Sequence, residues 1–371
     1  MNPIGVMQIT DTLAAGGLER VAVNLANSLP RERYRSYLCS TRAEGPLQEL
    51  LFPHVRKLHL QRTRKLDLGA IRRLVSYIRD NHIQIVHAHG TSLFIAALAS
   101  LFRPYPTIVW HDHFGRYATE ERPVWIYRLA AKAISGVVSV NQPLAEWSRK
   151  RLRVRSDRVW CIPNFVCEPE VNGTVPNLPG KDGLRIVCVA NLRPEKDHLN
   201  LIRAMRMVVK KFSEAHLLLL GSAGDKAYFE QVQAAIAQNN LVSHISWMGS
   251  RNDVHLILKA CEIGVLSSAS EGAPLALIEY GMSGLAAIAT NVGQCGEVLD
   301  QGRAGLLVPP ASPALLGEAI ISLLESPDKR ATLGQQFQQR VRDTYSAGQI
   351  IKQVDQIYEV LLNSKRRAKW N

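Results

Sequence analysis

Apolar and polar positions along this chain repeat with two periods. Short runs rich in aliphatic and β-branched residues fall at Ile4–Thr10, Tyr34–Cys39, Val55–Leu60, Ile83–Ala88, Thr107–His111 and Gly136–Val140, and read as buried strands. Between them, apolar residues recur at helical spacing over about 17–29, 68–80, 91–102, 123–133 and 142–151. Buried strands alternating with amphipathic helices predict a parallel sheet covered on both faces.

Residues 163–183 interrupt the pattern. Pro163, Pro169, Pro176 and Pro179 alternate there with Gly173, Gly180 and Gly183, and no periodic segment survives. This stretch reads as an interdomain linker, so the expected domains are 1–165 and 184–345, joined by 166–183. Alternation resumes with strands at Leu184–Ala190, Ala215–Leu220, His244–Trp247, Glu262–Ser267, Leu285–Thr290 and Gly305–Val308. Helices are expected at about 197–212, 225–239, 251–260 and 274–284, then 312–325, 328–342 and 347–363, ahead of the basic tail Lys365-Arg366-Arg367. The fold class is therefore α/β, with two Rossmann-like doubly wound halves. Ligands bind such sheets at the carboxyl ends of strands, which predicts a cleft where two such halves face each other.

A length of 371 residues suits two such domains. Hydrophobic content of 46% with 21% charged residues excludes a disordered or collagen-like chain. The longest apolar stretches, Leu93–Phe102 and Ala215–Leu220, fall short of the roughly 18–20 residues that span a bilayer. Met1–Thr10 has no positive n-region, and the six scattered cysteines form no Cys-x-x-Cys pair. A cytoplasmic protein with reduced thiols is expected.

Charge changes the picture more. The net charge is +13, and residues 1–170 carry 24 Lys and Arg against 14 Asp and Glu. A basic N-terminal half suits an anionic partner such as a phosphorylated substrate or an anionic leaflet. The charge is clustered at Arg62-Thr63-Arg64-Lys65 and Arg149-Lys150-Arg151-Leu152-Arg153-Val154-Arg155. Aromatics at 6% without basic–aromatic interleaving argue against a nucleic-acid partner. There is no Gly-x-Gly for a dinucleotide, and the one Gly-Lys pair, Gly180-Lys181, precedes Asp182 in the linker and makes no Walker loop.

The densest chemistry is Ser267-Ser268-Ala269-Ser270-Glu271-Gly272-Ala273-Pro274-Leu275-Ala276-Leu277-Ile278-Glu279. A strand runs into a small-residue loop, and Pro274 stands where the first helical residue is expected. The amides of Gly272, Ala273 and Leu275 at that helix start suit a diphosphate. Glu279, about one and a half turns further on, is placed to accept hydrogen bonds from a ribose diol. Upstream, Arg193 and Lys196 lie three residues apart at a strand's carboxyl end and form a cationic pair suited to a pyrophosphate. Gly16 and Gly17 follow the first strand, where backbone can approach a phosphate closely.

Two strands of the first half end in histidines, His87-Ala88-His89-Gly90 and Trp110-His111-Asp112-His113. His87 and His89 are expected on opposite faces of their strand, and no Asp-x-Asp is present, so no metal is expected. His87 reads as a satisfied interior histidine, while Asp112 and His113 are candidates to orient His111.

The Glu-x7-Glu spacing around this Pro-led helix start, with Ala286–Gly293, the Gly249–Val254 turn and the Gly16-Gly17 loop, resembles retaining GT-B glycosyltransferases of family 4 (glycosyl transferases group 1). That resemblance implies a nucleotide-diphospho-sugar donor on the C-terminal half and a lipid-linked or glycan acceptor on the N-terminal half, with no metal or other cofactor. It implies that His111, Glu271, Lys196 and Arg193 are catalytic, and that Gly16, Gly17, Gly249, Gly272, Ala273, Pro274, Leu275 and Glu279 bind the donor. The donor base is expected near Trp247–Arg251. His89, Gly90 and Asp112 would line the acceptor and sugar edge. The family's Gly-Arg-Leu triplet reads Ala190-Asn191-Leu192 here, which displaces the arginine to Arg193. Residues 346–371 are expected to pack back on the N-terminal domain. A lipid-displayed acceptor would call for peripheral attachment to the inner face of the cytoplasmic membrane through the basic half. A sugar-nucleotide epimerase of the same fold is the alternative, and a basic nucleic-acid-binding protein the alternative from another class.

Overall fold

A computed structural model describes residues 3–103, 105–115, 121–167 and 173–367, with side chains through 365. Pro169 of the linker and the side chains of Arg366 and Arg367 lie outside the described residues. The chain divides into two compact units, Met1–Cys167 with Ala347–Asn371, and Glu168–Ser346.

The first unit contains β1 (Ile4–Thr10), α1 (Gly17–Ser28), β2 (Tyr34–Ser40), β3 (Arg56–His59), α2 (Leu68–Asp80), β4 (Ile83–His89), α3 (Leu93–Ala99), β5 (Thr107–Asp112), α4 (Val124–Ala131), β6 (Gly136–Ser139), α5 (Gln142–Lys150) and β7 (Val159–Cys161). Its sheet is parallel with strand order β3-β2-β1-β4-β5-β6-β7. The three-residue β7 escaped the sequence pattern because it is too short to show a period.

The second unit contains β8 (Arg185–Val189), α6 (His198–Lys211), β9 (His216–Leu220), α7 (Lys226–Gln238), β10 (Ile245–Gly249), α8 (Val254–Lys259), β11 (Ile263–Leu266), α9 (Leu275–Met282), β12 (Ala286–Thr290), α10 (Cys295–Val298), β13 (Leu306–Val308), α11 (Pro313–Glu325) and α12 (Pro327–Tyr345). Its parallel sheet has the order β10-β9-β8-β11-β12-β13. A last helix, α13 (Ala347–Arg367), belongs to the first unit.

Local chemistry sets the helix starts. Asp67, Asn141, Asp197 and Asp225 each accept a hydrogen bond from the backbone N–H three residues on, and so cap α2, α5, α6 and α7. In α2 the buried residues Ala70, Ile71, Leu74 and Ile78 form one stripe that packs on the sheet. Helix α9 begins at Leu275, so Pro274 occupies the capping position one residue before the place expected for it.

Both sheets reverse strand order once, between β1 and β4 in the first unit and between β8 and β11 in the second. At such a switch point the loops leaving two adjacent strands diverge to opposite faces and open a crevice at the carboxyl edge. The candidate residues cluster at these two edges.

Candidate active site

In the second unit, β8 delivers the loop 190–197 and β11 delivers the loop 267–274. Lys196 Nζ lies 2.7 Å from Glu271 Oε1, and Ser268 Oγ donates to the same oxygen at 2.6 Å. The Glu271 side chain is buried and that of Lys196 one-quarter exposed. Three sets of bonds hold this geometry. Ala269 N donates to Glu195 O at 2.9 Å, Ser267 Oγ donates to the carbonyls of Lys196 and Asp197, and Thr290 Oγ1 donates to Ser268 O at 2.6 Å. At Gly293, φ is +52° and a Cβ would stand 2.0 Å from Glu271 O, so only glycine admits this close crossing.

Arg193 is exposed and apart from that ion pair, while the neighbouring Asn191 has a structural task. Its side-chain oxygen accepts from Ser222 N at 2.9 Å and Ser222 Oγ at 3.0 Å. Gly272, Ala273 and Leu275 are half-buried at the start of α9, and Glu279 is half-buried in its second turn. Sequence reasoning missed the residue that anchors this helix. The Tyr280 hydroxyl accepts from Val189 N at 2.7 Å and donates to Val265 O at 3.2 Å, tying α9 to both switch-point strands. Gly264 of β11 makes room, since a Cβ there would meet the Tyr280 ring at 2.5 Å. Further along the edge, Gly249 adopts φ +67°, and Trp247 is 39% exposed with its indole donating to Gly221 O at 2.9 Å. Arg251 is paired with Asp253 through two contacts of 2.8 and 2.6 Å.

In the first unit, Gly16 precedes α1 and Gly17 is its first residue, while Gly90 follows β4 with φ +56°. His89 pairs in register with His111, and His87 with Val109. One expectation is corrected here: His87 and His89 share a face, because strand residues two apart project the same way. Their rings stack with centroids 4.9 Å apart, and His111 lies 5.1 Å from each and 4.0 Å from His113.

His87, His89 and His111 are buried and His113 is half-buried. Desolvation by burial lowers the pKa of His87 and His113 to about 3 and holds His89 and His111 well below the ordinary histidine range. His89 shares hydrogen bonds with Gln8 Oε1 at 2.9 Å and His113 Nε2 at 3.0 Å. His87 Nδ1 meets the Tyr358 hydroxyl at 2.7 Å. Neither Gln8 nor Tyr358 was singled out from sequence. Gln8 was detectable as the one amide inside an apolar strand, whereas nothing marks Tyr358 within its helix. Both nitrogens of His111 and Nε2 of His87 are buried with no protein partner.

The ligand nitrogens of His87, His89 and His111 lie within 4.8 Å of one another. Zinc would take such nitrogens at about 2.0–2.1 Å. Here the rings meet face to face and His89 has both nitrogens engaged, so the trio would have to rearrange to surround an ion.

Asp112 is a second correction. It neither lines the edge nor orients His111, because adjacent strand residues face opposite ways. Its carboxylate takes a bidentate bond from Arg122, 2.8 Å on each oxygen, and both side chains are buried. The Arg122 guanidinium stacks 3.8 Å from the Trp147 ring centroid. Burial pushes the Asp112 carboxyl upward even beside that partner. The Arg62–Lys65 cluster also differs from a solvated patch, since Arg62 is 7% exposed and bonds Asp11 at 2.8 Å.

Two parallel-sheet Rossmann-like units, each with its polar loops gathered at a topological switch point and each matched by a glycosyltransferase family, make this chain a GT-B glycosyltransferase. Residues 15–168 match Glycosyltransferase Family 4 and residues 175–340 match Glycosyl transferases group 1, one family on each unit. Among curated relatives, the chain is similar to the UDP-Gal:alpha-D-GlcNAc-diphosphoundecaprenol alpha-1,3-galactosyltransferase of Escherichia coli, at 26% identity over 304 residues, 74% of this chain and 76% of that one. The fold is shared with a glycosyltransferase from Rickettsia africae ESF-5, with TM-score 0.78, 18% identity and coverage of 98% and 99%. It is shared equally with Anabaena Alr3699/HepE, solved in complex with UDP and glucose, with TM-score 0.78, 18% identity and coverage of 96% and 100%.

Proposed function

We propose that this glycosyltransferase moves a sugar from a nucleoside-diphosphate donor to a lipid-linked or glycan acceptor, with retention of anomeric configuration, in polysaccharide, lipid-linked glycan or glycolipid synthesis. The observation that carries the reading is the Lys196–Glu271 pair at the β8/β11 switch point, beside the start of α9. In this reading the donor diphosphate lies on Lys196, Arg193 and the amides of residues 272–275, where cation and helix dipole neutralise the departing charge. Glu279 takes the ribose diol, and Glu271 takes sugar hydroxyls. Gly249 and Trp247 line the base. His111 is the group of the first unit that meets the reacting sugars, with His89 and Gly90 beside it.

Retention follows from front-face attack: the acceptor hydroxyl bonds the anomeric carbon on the face the diphosphate leaves, and the departing phosphate oxygen takes the hydroxyl proton. Cationic side chains and helix amides supply the charge stabilisation that a metal provides elsewhere. EDTA-treated enzyme is therefore expected to keep its turnover, and loss restored by Mn²⁺ or Mg²⁺ would reject that point. The lipid-linked acceptor is supported by the diphosphoundecaprenol acceptor named for the Escherichia coli relative.

No helix among the described residues is long and apolar enough to cross a membrane. The basic first unit would instead attach peripherally to an anionic leaflet on the cytoplasmic side, at about 1 kcal/mol per basic residue near the surface. Thermal-shift screening against UDP-, GDP-, ADP- and dTDP-sugars, followed by NMR of the product anomer, tests the activity. An inverted product would reject retention, and stabilisation by no sugar nucleotide would reject the donor assignment.

A further inference from the structure

The first unit holds a cavity of about 1440 Å³, lined along its length by Phe94, Leu98 and Leu101 of the α3 segment and by Ile126 and Leu129 of α4. Its walls are largely apolar and open to solvent, with Leu101 67% and Leu129 61% exposed. Ordinary small-molecule pockets measure about 300–1,000 Å³. This one is larger, and residues of two helices line it. A monomeric surface leaves such a trough unfilled when something else fills it.

Its other end reaches the carboxyl edge of the sheet, where Asp11, Arg42, Arg62, Lys65 and Thr91 line it. Arg62 is 7% exposed and fixed by Asp11, and its Nε is buried with no hydrogen-bond partner. Asp11 is itself occupied by Thr41 and Thr91, at 2.5 and 2.6 Å. Arg42 and Lys65 are exposed and form no ion pair among the described residues. That end thus carries three cations against one carboxylate, with a donor left over. At the far end Arg158 lies 3.9 Å from Asp157 and Lys365 donates to the Tyr105 carbonyl, while Lys132 is exposed.

An apolar trough that ends in uncompensated cations next to the switch point matches one kind of molecule. We propose that the groove binds the lipid anchor of the acceptor: a long hydrocarbon chain lies along α3 and α4, and its phosphate or diphosphate sits on Arg62, Arg42 and Lys65. The inference rests on the lipid-linked acceptor proposed above and adds where that lipid is held. It also separates two tasks of the basic half, since the groove grips a single chain whereas surface arginines such as Arg151 and Arg153 are free to meet a leaflet.

The test uses the full chain in detergent micelles, with a long polyprenyl phosphate, the matching polyprenol and inorganic pyrophosphate as probes. Binding is followed by thermal shift and native mass spectrometry. Three variants are compared: Ala97→Trp, which plugs the trough; Leu129→Glu, which charges an exposed wall; and Arg42→Glu with Lys65→Glu. Polyprenyl phosphate is expected to bind better than polyprenol, and far better than pyrophosphate. Ala97→Trp and Leu129→Glu should each weaken it about tenfold or more. The double charge reversal should abolish the preference for phosphate over alcohol. Stabilisation by sugar nucleotide should stay unchanged in all three, which also shows that the variants fold. Equal polyprenyl phosphate affinity in wild type and plugged protein would overturn the groove. So would retention on anionic vesicles that charge reversal abolishes while the plug leaves polyprenyl phosphate binding intact, since that pattern describes surface adsorption. Loss of sugar-nucleotide binding in the wild type would strike the function itself, an outcome distinct from either.

Discussion

Lys196 Nζ and Glu271 Oε1 stand 2.7 Å apart, although 75 residues separate them along the chain. The ammonium arrives on the loop after β8 and the carboxylate on the loop after β11, strands that become neighbours only at the reversal of strand order. In the proposed reading an arriving diphosphate would compete with Glu271 for Lys196, and the ion pair would hold the cation in place until the donor takes it. Lys196→Ala is expected to lower kcat by about 10²–10³-fold, the usual cost of one preorganised donor to developing charge. Steady-state kinetics with saturating donor measures this. A wild-type kcat would remove Lys196 from the reaction.

Glu279→Ala is expected to weaken donor binding by about 2–3 kcal/mol, roughly 30–150-fold, through loss of a charged hydrogen-bond acceptor. Titration calorimetry with the donor identified by screening checks it. Unchanged affinity would place the ribose elsewhere.

The buried histidines make the first unit acid-sensitive. His87, His89, His111 and His113 have folded pKa values depressed below the ordinary 6.5. Below pH 6.5 the unfolded chain therefore binds protons that the folded chain refuses. Stability is then full above about pH 6.5 and falls as pH drops toward 3, by up to about 1.4 kcal/mol per pH unit for each histidine. Urea melts at pH 7.5, 6.5 and 5.5 should show this, and His87→Gln should flatten the slope. Equal midpoints across that range would contradict the neutral cluster.

Tyr358 ties α13 to the sheet through its hydroxyl, which meets His87 Nδ1 at 2.7 Å and accepts from Gln8 Nε2 at 3.3 Å. Tyr358→Phe keeps the ring and strands two buried polar atoms, at a cost of about 1–3 kcal/mol. Chemical denaturation reads that loss directly. An unchanged midpoint would mean that the hydroxyl does not hold the helix.

The seat of α9 should matter for donor binding as well as for stability. Tyr280→Phe removes both the acceptor for Val189 N and the donor to Val265 O. Destabilisation of about 1–3 kcal/mol together with weaker donor binding is expected, because α9 loses its tie to the strands. Denaturation and donor titration of the same variant check the two effects. Conservation of both stability and affinity would show that packing on Gly264 alone seats the helix.

Much of this protein is legible in one dimension. Strand–helix alternation, the proline-rich break at 163–183 and the loop from Ser267 to Glu279 are local patterns, and local patterns survive in sequence because period and capping act within a few residues. Hence the α/β class, the two sheets and the positions of most elements follow from the order of residues alone. What the tertiary structure decided was pairing across distance. Strand order brings Lys196 to Glu271, and side-chain direction sends Asp112 away to Arg122 while turning His87 and His89 to one face. The return of α13 supplies Tyr358 to a cluster more than two hundred residues upstream, where His87 is its partner at a separation of 271. These contacts depend on which elements become neighbours. That choice is made by burial summed over the whole core, and no single stretch of sequence encodes it.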